Sequence, residues 1–312
     1  MELCSLILRF PERIREAYDI NVGKLNRIFD NIVFIGMGGS YIAGLTFKSL
    51  YQEELRMPIE VRHSVSYINS HTLYVLVSYS GTTKEVLQAL NKLKNVHSEN
   101  LLVITSGGKL LKEARKRKIE YVKVKPGLHQ RFTFAELFFP IVRVFEKAGY
   151  LRSKREEVHK IIKTLKKSAD KLDKGARVLA AKIRDDNPLI YASEYFYPVA
   201  YRLQTSLEED AKIVCHSNQI PELFHNELEA LPASYFIPIL IIDRKETREY
   251  KKQIKFFKKH TKFFYELGGE KYSREERMFL LFYFADFLGY YLSELKSTDF
   301  GETPLSDQVK KF

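Results

Sequence analysis

The stretch Leu76-Val77-Ser78-Tyr79-Ser80-Gly81-Thr82-Thr83-Lys84-Glu85-Val86 decides how the rest of the chain is read. An apolar run over residues 74–77 stops at hydroxyl-bearing residues grouped around Gly81. A helical pattern then begins, with Val86, Leu87 and Leu90 on one face. This spacing predicts a strand, a tight loop and a helix start. Such a loop turns backbone N–H groups, the positive end of a helix dipole and several hydroxyls toward one point, where a phosphate monoester fits. Ser and Thr suit a dianion that must leave again, because they donate hydrogen bonds without adding charge. An ordinary N-cap, with the other hydroxyls as loop filler, accounts for any one of these residues. The whole string, Ser78, Ser80, Thr82 and Thr83 around one glycine at a strand end, is better accounted for by an anion site.

The same pattern recurs on either side. Asn31–Ile35 reads as a strand ending in Gly36-Met37-Gly38-Gly39-Ser40, with a helix over 41–51. Leu101–Thr105 reads as a strand closing on Ser106-Gly107-Gly108, with a helix over 110–117. Further strands are expected at 58–61 and 119–124, and helices at 10–29, 85–93 and 132–147. Alternation at this pitch implies a parallel sheet covered on both faces. Ligands of such sheets sit beyond the carboxyl ends of the strands, near the point where strand order reverses. The three Gly- and Ser-rich loops are therefore expected to share one crevice.

Residues 151–183 are polar, Lys-rich and helical in period, and Asn187-Pro188 breaks that pattern. A second alternation follows, with strands expected at 189–192, 213–215, 235–242 and 261–265. Its helices are expected at 197–207, 247–260, 273–295 and 304–311. The fold class is thus α/β, with two doubly wound halves, each a mainly parallel sheet flanked by helices. The first half spans 1–150, a helical connector 151–186 and the second half 187–312, a duplication of architecture and not of sequence.

At 312 residues the chain suits one large or two medium α/β domains. A hydrophobic share of 45% with 29% charged residues indicates a folded globular protein, not a disordered one. The apolar stretch 278–292 is short for a membrane span and contains Asp286, so it reads as a buried helix and no membrane partner is expected. No basic-then-apolar signal segment opens the sequence, which predicts a cytoplasmic protein. Cys4 and Cys215 have no partner pattern and zinc-type spacing is absent, so no metal is expected, and no cofactor is expected either. The net charge of +12 comes from Lys and Arg scattered over helices such as 154–174 and 245–259, without the spacing of a nucleic-acid module. A solvated basic surface that draws in a phosphorylated metabolite is expected in place of a nucleic-acid partner.

Ionisable groups stand in suggestive company at three places. In Leu207-Glu208-Glu209-Asp210-Ala211-Lys212, three consecutive acids sit at a helix end, against the dipole there; a solvated turn is the plainer reading. In Pro221-Glu222-Leu223-Phe224-His225-Asn226-Glu227, a His flanked by Asn and Glu can have its ring oriented and its proton affinity tuned, or be a surface His. In His129-Gln130-Arg131-Phe132, an arginine opens an aromatic helix, or serves as a surface ion-pair partner. A phosphate site with an acid, a His and an Arg suits an aldose–ketose isomerisation. That reaction needs a carboxylate over two neighbouring carbons, a group for the ring-opening proton and a cation for the enediolate.

The Gly36-Met37-Gly38-Gly39-Ser40 and Ser78-Tyr79-Ser80-Gly81-Thr82-Thr83 loops and the two-half layout resemble sugar isomerase (SIS) domains. More narrowly, Arg131 before the aromatic helix, His225-Asn226-Glu227, and Thr303-Pro304 with Lys310 resemble the bifunctional phosphoglucose/phosphomannose isomerases. The resemblance implies that Ser40, Ser78, Ser80 and Thr83 hold the phosphate and that Gly39 offers its backbone near the reacting carbons. It implies that Arg131 stabilises the enediolate and Glu209 moves the proton between C1 and C2. It further implies a homodimer in which His225 reaches the neighbouring subunit's site to open the ring, Lys310 assists, and Thr303 lies near the sugar. The family has Asn-Glu-Asn before Ala-Lys where this chain has Glu208-Glu209-Asp210, so Glu208 stands as the rival base. A sugar-phosphate sensor without catalysis is the alternative function, although no helix-turn-helix segment is evident. An aminosugar synthase would need a glutaminase domain ahead of the sheet.

Overall fold

The computed structural model describes residues 2–231, 236–243, 245–268 and 271–309, with residues 2–4 as backbone only. Their strands form two sheets in which every pairing is parallel. The first contains β1 (Asn31–Ile35), β2 (Ile59–Arg62), β3 (Thr72–Val77), β4 (Leu101–Thr105) and β5 (Glu120–Lys123), in the order β2-β1-β3-β4-β5. Strand order reverses between β1 and β3. The runs in β3 and β4 are apolar at nearly every position, and all of their residues are buried, as a sheet covered on both faces requires. On one face Val33, Ile35, Tyr74, Leu76 and Val103 meet Val86, Leu90, Leu110 and Ala114 from helices Lys84–Lys92 and Gly108–Lys116. On the other, Phe34 lies 5.1 Å from Phe47 of helix Gly39–Leu55. Phe47 in turn lies 4.7 Å from Phe145 of helix Phe134–Lys147.

The second sheet contains β6 (Asn187–Ala192), β7 (His216–Gln219), β8 (Phe236–Ile241) and β9 (Tyr265–Leu267), in the order β7-β6-β8-β9. Helix Tyr197–Ala211 returns from the carboxyl end of β6, and the long helix Arg274–Lys296 packs along it. That second helix has the length and composition of a membrane span, yet 78% of its apolar window is buried in protein. Its Asp286 is buried and accepts a 2.6 Å bond from the buried Arg202, which offsets the cost of placing a carboxylate there.

Two expectations are corrected. The helix expected over 10–29 ends at Tyr18. The following segment gives its backbone groups to other elements: Lys147 donates to the Val22 carbonyl, Tyr150 to the Arg27 carbonyl, and the Phe29 N–H donates to the Tyr150 hydroxyl. Gly23 there lies so close to Glu120 that a Cβ would fall 1.6 Å from its carboxylate. The strand expected at 213–215 forms instead at His216–Gln219. Those polar residues hold an edge position through side-chain bonds, Ser217 to Gln204 and Asn218 to Glu227.

The chain divides into two compact units, Leu8–Ile162 with the segment from Pro304 onward, and Lys163–Thr303 with the start of the chain. The division falls inside the 29-residue helix Arg155–Ile183.

Candidate functional site

The loops after β1, β3 and β4 lie side by side at one edge of the first sheet, as the strand order demands. Those after β3 and β4 interlock. The Ser106 N–H and hydroxyl both donate to the Tyr79 carbonyl, at 3.0 and 2.7 Å, and the Leu110 N–H donates to the Gly81 carbonyl at 2.9 Å. Gly81 has φ of +66°, and a Cβ on it would fall 1.9 Å from the Gly107 carbonyl oxygen. Gly108, with φ of +68°, would meet the Ser80 carbonyl oxygen at 2.4 Å. Only glycine permits both this backbone conformation and this approach.

Inside the loop, Ser78 is 1% exposed and shapes its neighbours. Its Oγ lies 2.8 Å from Thr83 Oγ1 and accepts the Gly81 N–H at 3.1 Å. Ser80 Oγ accepts from the Thr82 N–H at 3.2 Å and from the Thr82 hydroxyl at 3.0 Å. Thr83 is the N-cap residue of helix Lys84–Lys92, yet no side chain caps that helix. The simple N-cap reading therefore does not hold: Thr83 is turned toward Ser78, and the first N–H groups of the helix take no bond from its N-cap side chain. Helix Gly39–Leu55 likewise starts without a side-chain cap, with Ser40 buried in its first turn. Nothing lies within 4 Å of where Cβ atoms would stand on Gly38 and Gly39, so the backbone there is open to a ligand.

Tyr79 extends the cluster. Its hydroxyl donates to the Lys125 carbonyl at 2.9 Å and accepts the Leu128 N–H at 2.9 Å, and burial pushes its pKa up. It thereby ties the Ser78–Thr83 loop to the segment leading into Arg131. Arg131 sits in a single turn, Gln130–Phe132, and is 5% exposed. Arg13 holds this turn from behind, donating to the Phe132 carbonyl and, at 2.9 Å, to the buried Glu136. His63, its ring tilted against Tyr41 at 4.2 Å between centres and its Nδ1 3.2 Å from the Gly36 carbonyl, braces the first glycine loop. Sequence reading missed both supports, because each joins residues far apart in the chain.

In the second unit, helix Tyr197–Ala211 carries Glu208, Glu209 and Asp210 in its last turn. Glu208 and Glu209 are half-buried and Asp210 is buried. Gly289 leaves room for Asp210, whose carboxylate would lie 2.6 Å from any Cβ there. Lys212 stands in the left-handed region just past the helix and donates to the carbonyls of Glu209 and Glu302. Thr298 donates to the Asp210 carbonyl at 2.8 Å. These bonds bring the half-buried Thr303, next to Glu302, to the same helix end as Glu209. Lys310 lies outside the described residues.

The local reading of His225 is corrected. Its neighbours do not orient the ring: Asn226 Oδ1 accepts the Glu227 N–H at 2.6 Å, while Glu227 accepts from Tyr191 and Asn218. His225 is exposed. It follows the carboxyl end of β7, whereas Glu209 ends a helix that has run back to the amino edge of the sheet. The 15 residues of that helix span about 22 Å, so one chain holds Glu209 and His225 at opposite edges of its second sheet. Among the described residues no three metal-ligating side chains are gathered together.

Residues 29–133 match the family model for the SIS domain. Residues 172–312 match that for the bacterial phospho-glucose isomerase C-terminal SIS domain. The chain is 30% identical to a bifunctional phosphoglucose/phosphomannose isomerase of Thermoplasma acidophilum, over 100% of this chain and 97% of that protein. Against the protein of the same description from Thermoplasma volcanium it is 29% identical, over 100% and 99%. It is also 30% identical to a D-glucosamine-6-phosphate 4-epimerase of Sulfolobus acidocaldarius, over 74% of this chain and 75% of that one. The C-terminal domain of glucosamine-fructose-6-phosphate aminotransferase from Francisella tularensis superposes with a TM-score of 0.75 at 17% identity, over 96% and 97% of the two chains, a likeness of fold.

Proposed function

Since the chain belongs to the bifunctional phosphoglucose/phosphomannose isomerase family, we propose that it interconverts glucose 6-phosphate and mannose 6-phosphate with fructose 6-phosphate, as a cytoplasmic homodimer. The observation that carries this reading is the interlocked hydroxyl loop beside helix Lys84–Lys92, which no side chain caps. Ser40, Ser78, Ser80 and Thr83 hold the phosphate there, and the Gly39 backbone faces the reacting carbons. His225 of the partner subunit and Lys310 open the sugar ring. The Glu209 carboxylate then takes the C2 proton of the aldose, giving the anion of a cis-enediol, an enediolate whose negative charge Arg131 stabilises. Returning that proton to C1, with one proton passing from O2 to O1, yields the ketose. The same carbon skeleton leaves and re-enters without an external oxidant, so the chemistry asks for no redox cofactor. Thr303 lies near C2, where glucose and mannose differ.

A coupled assay with fructose 6-phosphate in the presence of EDTA tests the reaction. Turnover to both aldoses supports it. Tight binding of sugar phosphate with no isomerisation of any hexose phosphate would replace it with the sensor. Glucosamine 6-phosphate belongs in the same assay, because the epimerase relative is as identical over its matched part as the isomerases are. Glu209→Gln is expected to lower kcat at least about 1,000-fold, while a 5-phosphoarabinonate-type mimic of the enediolate still binds. Full activity in that variant would remove Glu209 from the role of base.

A further inference from the structure

A groove lies within the second unit, between helix Arg248–His260 and the ends of β8 and the edge strand β9. Apolar Ile242 and Ile254 line it, together with Tyr250, Lys251, Lys258 and Glu266, and Asp243 stands at the strand end. Tyr250 is the member that the fold alone does not explain. It is 6% exposed, with its ring packed among Tyr191, Leu240 and Phe257. Its hydroxyl makes no hydrogen bond of ordinary geometry among the described residues. The Asp243 backbone approaches the phenol oxygen, which leaves the proton without an acceptor. The Asp243 carboxylate does not take it. Arg274 reaches the two Asp243 oxygens at 2.7 and 3.3 Å, and the Lys245 N–H donates to one of them at 3.0 Å. Burial pushes the Tyr250 pKa up, so the group stays a donor. A buried donor left unbonded lowers stability, and phenylalanine would fill the same place without that loss. A ligand that accepts the bond accounts for the hydroxyl.

The charges around the groove indicate which ligand. Glu266 is paired with Lys258, and Asp243 with Arg274. Lys251, exposed on the next helical position after Tyr250, has no ion-pair partner among the described residues. The helix start is closed by Thr247, whose hydroxyl accepts the Tyr250 N–H at 3.2 Å, so side chains must hold an anion here. One unmatched cation beside one unbonded donor suits a monoanion with two acceptor oxygens. A phosphate dianion would keep an unmatched charge close to two carboxylates. We infer that this groove is a second ligand site, separate from the sugar-phosphate loops, which takes a small carboxylate with an apolar body. The Tyr250 hydroxyl and the Lys251 ammonium hold the carboxylate, and Ile242 and Ile254 receive the body. The site does not depend on the isomerase reading.

The test titrates full-length protein with hexanoate and with hexan-1-ol, read by ligand-observed NMR, with fructose 6-phosphate present throughout to occupy the sugar-phosphate site. Wild type, Tyr250→Phe and Lys251→Met are compared. Hexanoate is expected to bind wild type saturably, with Kd of about 1–10 mM, and hexan-1-ol at least about 5-fold more weakly. Each variant is expected to weaken hexanoate about 5–20-fold. Since the free hydroxyl is unbonded, Tyr250→Phe is expected to keep or raise the melting temperature. Absence of saturable hexanoate binding to wild type overturns the proposal. Equal binding of the alcohol overturns it too, because the groove would then be apolar only. Unchanged affinity in both variants places the binding elsewhere. A lowered melting temperature in Tyr250→Phe shows that the hydroxyl serves the fold and not a ligand. Displacement of hexanoate by equimolar inorganic phosphate overturns the choice of a carboxylate.

Discussion

Gly81 and Gly108 are each other's constraint: each brings its backbone against the other's loop, and each does so with positive φ. A methyl group on Gly81 would strike a backbone carbonyl, not a movable side chain. Gly81→Ala is therefore expected to cost about 2–4 kcal/mol, combining left-handed strain with displacement of the Gly107 peptide. A thermal or urea unfolding curve measures it, and a change within error would show that the two loops are not locked. Within the same loop the serines differ in kind. Ser78 Oγ already serves Thr83 and Gly81, so Ser78→Ala loosens the loop itself, whereas Ser80 braces only Thr82. Ser80→Ala is expected to raise KM for sugar phosphate about 5–20-fold with the melting temperature nearly unchanged. Ser78→Ala is expected to lower both affinity and melting temperature. Equal effects of the two on stability would refute that division.

At the scale of elements, helix Arg155–Ile183 is fastened at its start by Lys154, 3% exposed, which donates to Glu54 of helix Gly39–Leu55 and lies 3.5 Å from Glu157. Burial alone would push the Glu54 carboxyl up. The Lys154 ammonium and the Arg152 N–H outweigh burial and hold it below the ordinary carboxylate range. A carboxylate depressed in the folded state contributes stability above its unfolded value, and that contribution fades as pH falls through the folded one. Lys154→Met is expected to flatten the loss of stability between pH 5 and 3 by about 1 kcal/mol, read from urea unfolding at several pH values; an unaltered slope would exclude the pair as its source. Which elements could be read in advance follows from where their partners lie. β1, β3 and β4 are buried apolar runs whose letters already carry their burial, and the glycine loops carry their own backbone demands. β7 is polar because Gln204 and Glu227 satisfy its side chains, and no local pattern announces partners that distant. Similar long-range bonding draws Glu227 away from His225, and Asn226 accepts the Glu227 N–H, where adjacency in sequence had suggested contact with the ring.

For the whole molecule, the separation of Glu209 from His225 within one chain bears on how a working site is assembled. Helix Tyr197–Ala211 carries Glu209 back to the amino edge of the second sheet, while β7 runs forward and delivers His225 beyond its carboxyl edge. Neither element can reverse without unpairing β7 from β6. If both side chains act on one sugar, they come from different copies of the chain, and Thr303, tied to the Glu209 end through Lys212 and Glu302, belongs with the Glu209 copy. Complementation follows. Glu209→Gln and His225→Ala homodimers are each expected to be nearly inactive. After mixing, unfolding and refolding in equal amounts, half of the dimers are mixed, and each mixed dimer has one site with an intact Glu209 from one subunit and an intact His225 from the other. About a quarter of wild-type activity should return. If the two residues served a site within one chain, every mixed dimer would have two damaged sites and no activity would return. The yield of activity on mixing thus measures which copy supplies the histidine, independently of any structure of the dimer.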